Sequence, residues 1–267
     1  MDKIILKLRF FLRYSFLSLI GKFSIPSNGI HVLNGHFIDL SSYPSKNDFV
    51  NFLKKLNKHY TFVSFDKACK MIRDNTNVKS PMLAFSFDDG FKECSDIIAD
   101  CLEEYNIKAA FFINPYSIDA SKEEKINFIK SNLKVDFYKE FMNWNDIINL
   151  HKKGHIIGNH TYKHTVLKNL TYEAAHDEIL KGKKIIESKI NSKCDYFAFP
   201  FGSSDFFDKN GLDAALNLHK LIFTSGGYNS YFFNNNSNTL SRRHFEANWP
   251  VSHINYFLSS NRKYNLL

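Results

Sequence analysis

The sequence predicts one α/β domain built on a parallel sheet, and three observations lead there. Short apolar runs with strand character alternate with helix-period stripes along most of the chain. Asp88-Asp89, His160 and Pro200-Phe201-Gly202 each fall just past such a run, where parallel α/β architectures gather their functional groups. No Gly/Ser linker, low-complexity block or internal repeat divides the chain. With 267 residues, 44% of them hydrophobic, it can bury one sizeable core. Charged residues still supply 23%, which excludes a disordered polar tract and a polytopic membrane protein.

Residues 1–25 are read as an extension apart from the domain, 26–267. Lys3, Lys7, Arg9 and Arg13 precede the apolar run Tyr14 to Ile20, and no small-residue cleavage site follows. The charges interrupt any uncharged stretch of the roughly 20 residues that crossing a bilayer needs. In a helix, at about 100° per residue, Lys3 and Lys7 would lie about a third of a turn from Arg9 and Arg13. The segment is therefore not a clean interfacial amphipath. It is expected to dock on the domain, with weak membrane association left open.

Within the domain, Ser45 to Tyr60 opens with a capping pattern (Ser45, Asp48) and carries Phe49, Phe52, Leu53, Leu56 and Tyr60 on one face, so it reads as a helix. Thr61 to Phe65 reads as a strand, and so does Met82 to Phe87, which stops at Asp88-Asp89-Gly90. Cys94, Ile97, Ile98, Cys101, Leu102 and Tyr105 form a helical stripe leading to the strand Ala109 to Ile113. Asn145 to Lys153 looks helical with Gly154 as its stop, and Ile156-Ile157 begins the next strand. Ala175, Ile179, Ile186 and Ile190 mark a later helix; Tyr196 to Phe199, Leu221 to Thr224 and Thr239 to Arg243 are further strands, with a loop at Asn234 to Asn238. Six or seven parallel strands suit either an open doubly wound sheet or a closed barrel, and periodicity does not choose.

The net charge of +8 favours anionic surroundings without naming a partner. The pairs Lys54-Lys55, Lys152-Lys153 and Lys183-Lys184 read as solvated helix faces, so no nucleic-acid partner is expected. Cys69, Cys94, Cys101 and Cys194 show neither CxxC spacing nor a disulfide framework, which fits a reducing compartment. A cytoplasmic location is the corresponding expectation, with a peripheral place at the inner face of a membrane left open.

Adjacent carboxylates at Asp88-Asp89 are costly unless a cation or a proton separates their roles. Taken alone, the pair is equally an Asp-Gly turn. His160 and His164 sit four apart, a spacing that on one helical turn aims both imidazoles to the same side. Two histidines and one carboxylate make a three-ligand site with open positions, the pattern of a catalytic metal. Among 11 histidines such a spacing is unremarkable; its coincidence with an acidic pair at another strand end carries the reading.

Phe85-Ser-Phe-Asp-Asp-Gly90, Gly158-Asn-His-Thr-Tyr-Lys-His164 and Phe197-Ala-Phe-Pro-Phe-Gly202 resemble, in order and spacing, the first three motifs of the polysaccharide deacetylase family (NodB homology, carbohydrate esterase family 4). The likeness runs from about Ile30 to about Trp249. It implies a distorted (β/α) barrel, related to the TIM barrel, with about seven parallel strands. It also implies Asp89, His160 and His164 as ligands of a divalent metal ion, zinc first with Co2+, Ni2+ or Mn2+ as alternatives. Asp88 would be the catalytic base, with Thr161 bracing the metal loop. Phe199, Pro200, Phe201 and Gly202 would shape the substrate rim, with Trp249 as a further rim residue and core packing as the competing role for at least one of the two phenylalanines.

Two departures stand out. The family's third motif often carries an arginine where this chain has Ala198, and Arg242 or Arg243 is the expected replacement. The late leucine-x-histidine element that supplies the general acid is not cleanly present; His244 is chosen over His253. His36 falls where relatives often carry a Tyr-His pair, and the sequence does not say whether it reaches the site. The resemblance implies a metal-dependent N-deacetylase acting on an N-acetylated saccharide. The alternatives are a glycan-binding relative without turnover and a deacylase of another amide or ester.

Overall fold

The structure, a computed structural model, describes residues 3–38, 45–225 and 238–259. Helix α1 (Lys3–Gly21) comes first, then strand β1 (Gly29–Gly35), helix α2 (Lys46–Asn57), the two-residue strand β2 (Thr61–Phe62), α3 (Phe65–Arg73) and β3 (Pro81–Phe87). A π-helical turn, Cys94–Ile98, leads into α4 (Ala99–Glu103), followed by β4 (Ala110–Ile113), α5 (Pro115–Asp119) and α6 (Lys122–Phe128). The rest is α7 (Trp144–Lys152), β5 (Ile156–Asn159), α8 (Tyr172–Ile190), β6 (Tyr196–Ala198), α9 (Lys209–Leu218), β7 (Leu221–Thr224), β8 (Thr239–Ser241), β9 (Arg243–His244) and α10 (Val251–Leu258).

All named strands pair in parallel, in the order β8-β7-β6-β5-β4-β3-β1-β9. β8 and β9 are two halves of one stretch separated by Arg242. The first half pairs with β7 at one edge and the second with β1 at the other, so a single segment nearly closes the sheet into a barrel. Arg242 N–H donates to the Thr224 carbonyl and Phe245 N–H to the Asn34 carbonyl, one bond to each side of the seam. β2 pairs with the lower half of β3 and β4 with its upper half, which distorts the ring. This is an α/β barrel, as the motifs implied, and not the open sheet that periodicity left available.

Period-two alternation explains how the barrel carries a site. Ile30, Val32, Ala84, Ala110, Phe112, Phe223 and Leu240 pack together as an apolar cluster fed by the strands of the barrel. Continuing each register upward by two-residue steps reaches Asn34 and His36 from β1, Ser86 and Asp88 from β3, Asn114 from β4, and Arg242 and His244 from β8 and β9. Gly158 of β5 is required here, because a Cβ would stand 2.3 Å from the Phe112 ring.

Several local expectations change. Ser45 stands at the N-cap of α2, yet its side chain makes no capping bond. Phe65 leaves the expected strand to start α3, where burial of Phe65, Ala68, Cys69 and Ile72 outweighs its strand preference. Lys183 is no solvated face: its ammonium ties the Cys194 and Leu218 carbonyls. All four cysteines are free and buried. The loop at Asn234 to Asn238 lies outside the described residues except for Asn238. α1 packs on α10, and no described helix is long and apolar enough to cross a membrane.

Candidate active site

At the carboxyl ends of the strands lies a cavity of about 430 Å³. Its polar groups are Asn34, His36, Asp88, Asp89, His160, His164, Ser225 and His244; Phe37, Phe91, Phe137 and Phe201 are among its apolar ones.

Asp88 is 3% exposed, and Arg242 grips it in bidentate fashion, Nη1 to Oδ1 at 2.7 Å and Nη2 to Oδ2 at 2.8 Å. The same Nη1 reaches Asn34 Oδ1 at 2.9 Å and Ser86 Oγ at 3.2 Å, so the guanidinium, itself fully buried, is fixed from two strands, β1 and β3. Burial pushes the Asp88 carboxyl up, but the Arg242 guanidinium, with His160 adding to it, overrides burial and holds it well below the usual carboxylate range. Asp89 goes the other way. Burial and the neighbouring Asp88 charge push it well above the usual range, with Arg242 opposing only in part. Two adjacent carboxylates are thereby separated into unlike roles.

Asp89 Oδ1 lies 3.6 Å from His160 Nε2 and 3.5 Å from His164 Nε2, and this buried oxygen has no hydrogen-bond partner. His160 Nδ1 donates to the Ala198 carbonyl at 2.8 Å and His164 Nδ1 to the Asn132 carbonyl at 3.1 Å. Each bond fixes the tautomer that leaves the Nε2 lone pair facing Asp89. Burial keeps both imidazoles neutral, with His160 lowering His164 further. The three ligand atoms all lie within 4.8 Å of one another. A carboxylate without a donor and two neutral imidazoles aimed at it are what a divalent cation requires, so the donor set fits one.

The two histidines do not share a helical turn. Residues 160–165 form a loop in which Thr161 (φ 63°) and His164 (φ 53°) take left-handed conformations. Thr161 Oγ1 accepts the Thr165 N–H at 3.0 Å, which pins the loop from within. Asn114 Nδ2 donates to the His160 and Thr161 carbonyls from β4's end. Gly182 lets α8 approach: a Cβ there would stand 2.6 Å from Asn159 Oδ1 and 3.0 Å from the Tyr162 nitrogen.

The remaining expected residues divide. Phe201 lines the cavity with its ring 4.7 Å from that of His164, and Gly202 (φ 67°) brings Ser225 to the wall, where a Cβ would overlap Ser225 Oγ. Phe199 is no rim residue: it is 1% exposed and stacks on Phe207 at 3.9 Å in the core. Pro200 is buried and absent from the cavity wall, because the turn it starts points Phe201, not the ring of Pro200, at the site. Trp249 stands behind His244, 5.7 Å between rings, and does not line the cavity. Arg243 packs over Phe257 at 3.8 Å, away from Asp88. His253, on α10, bonds Ser18 Oγ at 3.0 Å and is remote from the cavity. His244 does line it, 3.6 Å from Glu246 and 5.6 Å from the His36 ring.

His36 is the residue that the sequence left unplaced. Burial lowers it to about 4, with Asp88 opposing and His244 adding to the depression. Its signal was the β1 register, two residues past Asn34. Phe137 and the Asn132 carbonyl had no signal, since one comes from irregular chain and the other from the π-helical turn Ile129–Leu133 that continues α6.

Fold and site together define a class: an α/β barrel that gathers a buried carboxylate and two imidazoles able to hold a cation at the carboxyl ends of its strands. The sequence signature described as Polysaccharide deacetylase matches residues 75–219, more than half the chain, and the chain belongs to that family. Peptidoglycan-N-acetylglucosamine deacetylase of Bacillus cereus is 26% identical over 121 residues, 45% of this chain and 36% of that protein. The uncharacterised protein YlxY of Bacillus subtilis is 24% identical over 176 residues, 61% of this chain and 47% of that protein. The chain thus spans half or less of these curated relatives. Among solved structures, IcaB from Ammonifex degensii superposes with a TM-score of 0.69 at 18% identity, covering 89% of this chain and 100% of that one. Streptococcus pyogenes deacetylase PplD, solved with acetate, gives 0.67 at 17%, covering 88% and 98%. At these identities the likeness concerns the fold.

Proposed function

We propose that this protein is a metal-dependent hydrolase that removes N-acetyl groups from the amino sugars of a glycan or glycan precursor. The observation that carries the reading is the ionised Asp88, gripped by Arg242, beside a three-ligand cation site in one cavity. Asp89, His160 and His164 hold the ion, most suitably Zn2+ for two nitrogens and an oxygen. When bound, a divalent ion polarises an acyl carbonyl and acidifies water, from a pKa of about 15.7 toward about 7.

The chain's own residues supply the rest. Asp88, held ionised, is the general base that accepts the proton of the attacking water, and Arg242 positions it. The leaving amine needs a proton, and the imidazole pair His244 and His36 stands across the cavity to give it. Glu246 lies 3.6 Å from His244, which we take as the donor, and His36 lies within electrostatic reach of both His244 and Asp88. Phe37, Phe137 and Phe201 offer aromatic faces to a sugar ring. Arg242 on Asp88 fills the role left open by Ala198, and so supports turnover over a binding-only reading.

Acetate release from N-acetylated oligosaccharides, nucleotide-sugars and lipid-linked glycans, with and without chelator and with Asp88→Asn as control, tests the proposal. Chelator-sensitive release that Asp88→Asn abolishes is expected. No release from any member of the panel by metal-loaded protein would overturn it.

A further inference from the structure

A helix that coats a soluble domain turns its apolar stripe to the core and its polar face outward. α1 does the reverse. Its docked side is narrow: Leu17 is 7% exposed, Gly21 meets the Ser252 carbonyl, and Ser18 bonds His253. The opposite side carries Leu8, Phe11, Leu12, Phe16 and Leu19, each between 53% and 66% exposed. Phe23 and Ile25, 79% and 85% exposed, prolong it. Nine of the ten exposed large hydrophobics among the described residues lie between Leu8 and Ile25, a concentration unlike the scatter of an ordinary surface.

Charge selects the occupant. Arg9, Arg13 and Lys22 are exposed beside this stripe, and no Asp or Glu occurs from Lys3 to Ile38. A second copy of α1 would bring like charges together, whereas anionic lipid headgroups would neutralise them while the acyl boundary takes the leucines and phenylalanines. Position links the helix to the site. Tyr14 meets His253 edge-on with ring centroids 4.8 Å apart, His253 lies 6.0 Å from Trp249, and Trp249 lies 5.7 Å from His244 on the cavity wall. Glu246, lowered first by His244, is lowered also by the charge of Arg13.

We propose that α1 and the segment to Ile25 form an interfacial anchor for an anionic lipid bilayer, holding the His244 wall of the cavity near the membrane so that the substrate is a membrane-held glycan. The substrate half of this rests on the function proposed above; the anchor does not.

The test is cosedimentation of the full chain with vesicles of phosphatidylglycerol and phosphatidylcholine, against pure phosphatidylcholine. Strong binding to the anionic vesicles is expected, weakened by at least about tenfold in the Leu8→Ser, Leu12→Ser, Leu19→Ser triple variant. Arg9→Gln with Arg13→Gln should weaken binding to anionic vesicles and leave any binding to phosphatidylcholine unchanged. The triple variant should deacetylate a soluble N-acetylated oligosaccharide at the wild-type rate and lose activity on a lipid-linked saccharide in the same vesicles. Failure of the wild type to sediment with anionic vesicles overturns the anchor, as does undiminished binding by the triple variant. A concentration-dependent dimer without vesicle binding overturns it too and gives the face to a second copy. Vesicle binding without acetate release from any sugar supports the anchor and overturns the substrate assignment.

Discussion

Arg242 and Asp88 form a bidentate, fully buried ion pair that joins the closing segment of the barrel to the end of β3. The guanidinium sits under the site, so one side chain closes the fold and tunes the carboxylate proposed as base. Removing one partner of such a pair leaves an uncompensated buried charge. Arg242→Met is therefore expected to lose about 3–5 kcal/mol of stability and at least about a hundredfold in kcat, with metal stoichiometry retained. Arg242→Lys keeps the charge but not the fork, and should recover part of each. Denaturant unfolding and acetate release measure both; wild-type turnover in Arg242→Met would remove Arg242 from the site.

The ligand set makes a separate prediction. His160→Ala, His164→Ala and Asp89→Asn should each abolish stoichiometric divalent metal, read by elemental analysis, together with activity. Metal-free Asp89→Asn should nevertheless be more stable than metal-free wild type at pH 7. The sign follows from the raised Asp89 carboxyl: the folded state holds its proton to higher pH than the unfolded chain, where the value is about 3.9. Wild type is thus penalised as pH rises through the folded value, and the two proteins should converge below about pH 4.

Two histidines outside the site predict acid sensitivity. Burial lowers His31 to about 4 and His219 to about 3, His219 being further depressed by Lys183. Above pH 6.5 neither state binds the proton, so these groups leave stability unchanged. Below it the unfolded chain takes protons that the folded chain refuses, and stability falls until the folded values are passed. On the order of 1–3 kcal/mol should be lost per histidine between about pH 6.5 and 4, with His219→Gln showing a shallower decline in thermal melting.

His36 and His244 should behave unlike the ligand histidines. His36→Ala and His244→Ala are each expected to lower kcat by about 10²–10⁴-fold while metal content stays at the wild-type level. His244→Ala should also lose the basic limb of the pH profile. An unchanged profile in that variant would exclude His244 as the proton donor.

Gly182→Ala tests the packing of α8 on the metal loop. In an open helix this change stabilises by about 1 kcal/mol. Here the new methyl meets Asn159 Oδ1 and the Tyr162 nitrogen, so a loss of about 1–3 kcal/mol and weaker metal binding are expected. Isothermal titration and unfolding curves read the two effects.

The α/β alternation was legible in the sequence because strand period and helix stripe are encoded by residues close together in the chain, whereas Asp89, His160 and His164 were picked out by the motifs that carry them, the two histidines on a turn that proved to be a loop and not a helix. Tertiary structure decided the rest. Barrel closure depends on one segment pairing with both β7 and β1, and only that closure carries Arg242 to Asp88 across 154 positions of sequence. Closure also set His36 against His244, while packing on Phe207 put Phe199 in the core and Trp249 stands off the cavity wall. Likewise α1 reads from its sequence as a segment to be docked; which side faces water follows from where α10 covers it. Local pattern fixes what a segment can form, whereas burial and charge pairing between distant segments determine which side chains share a site.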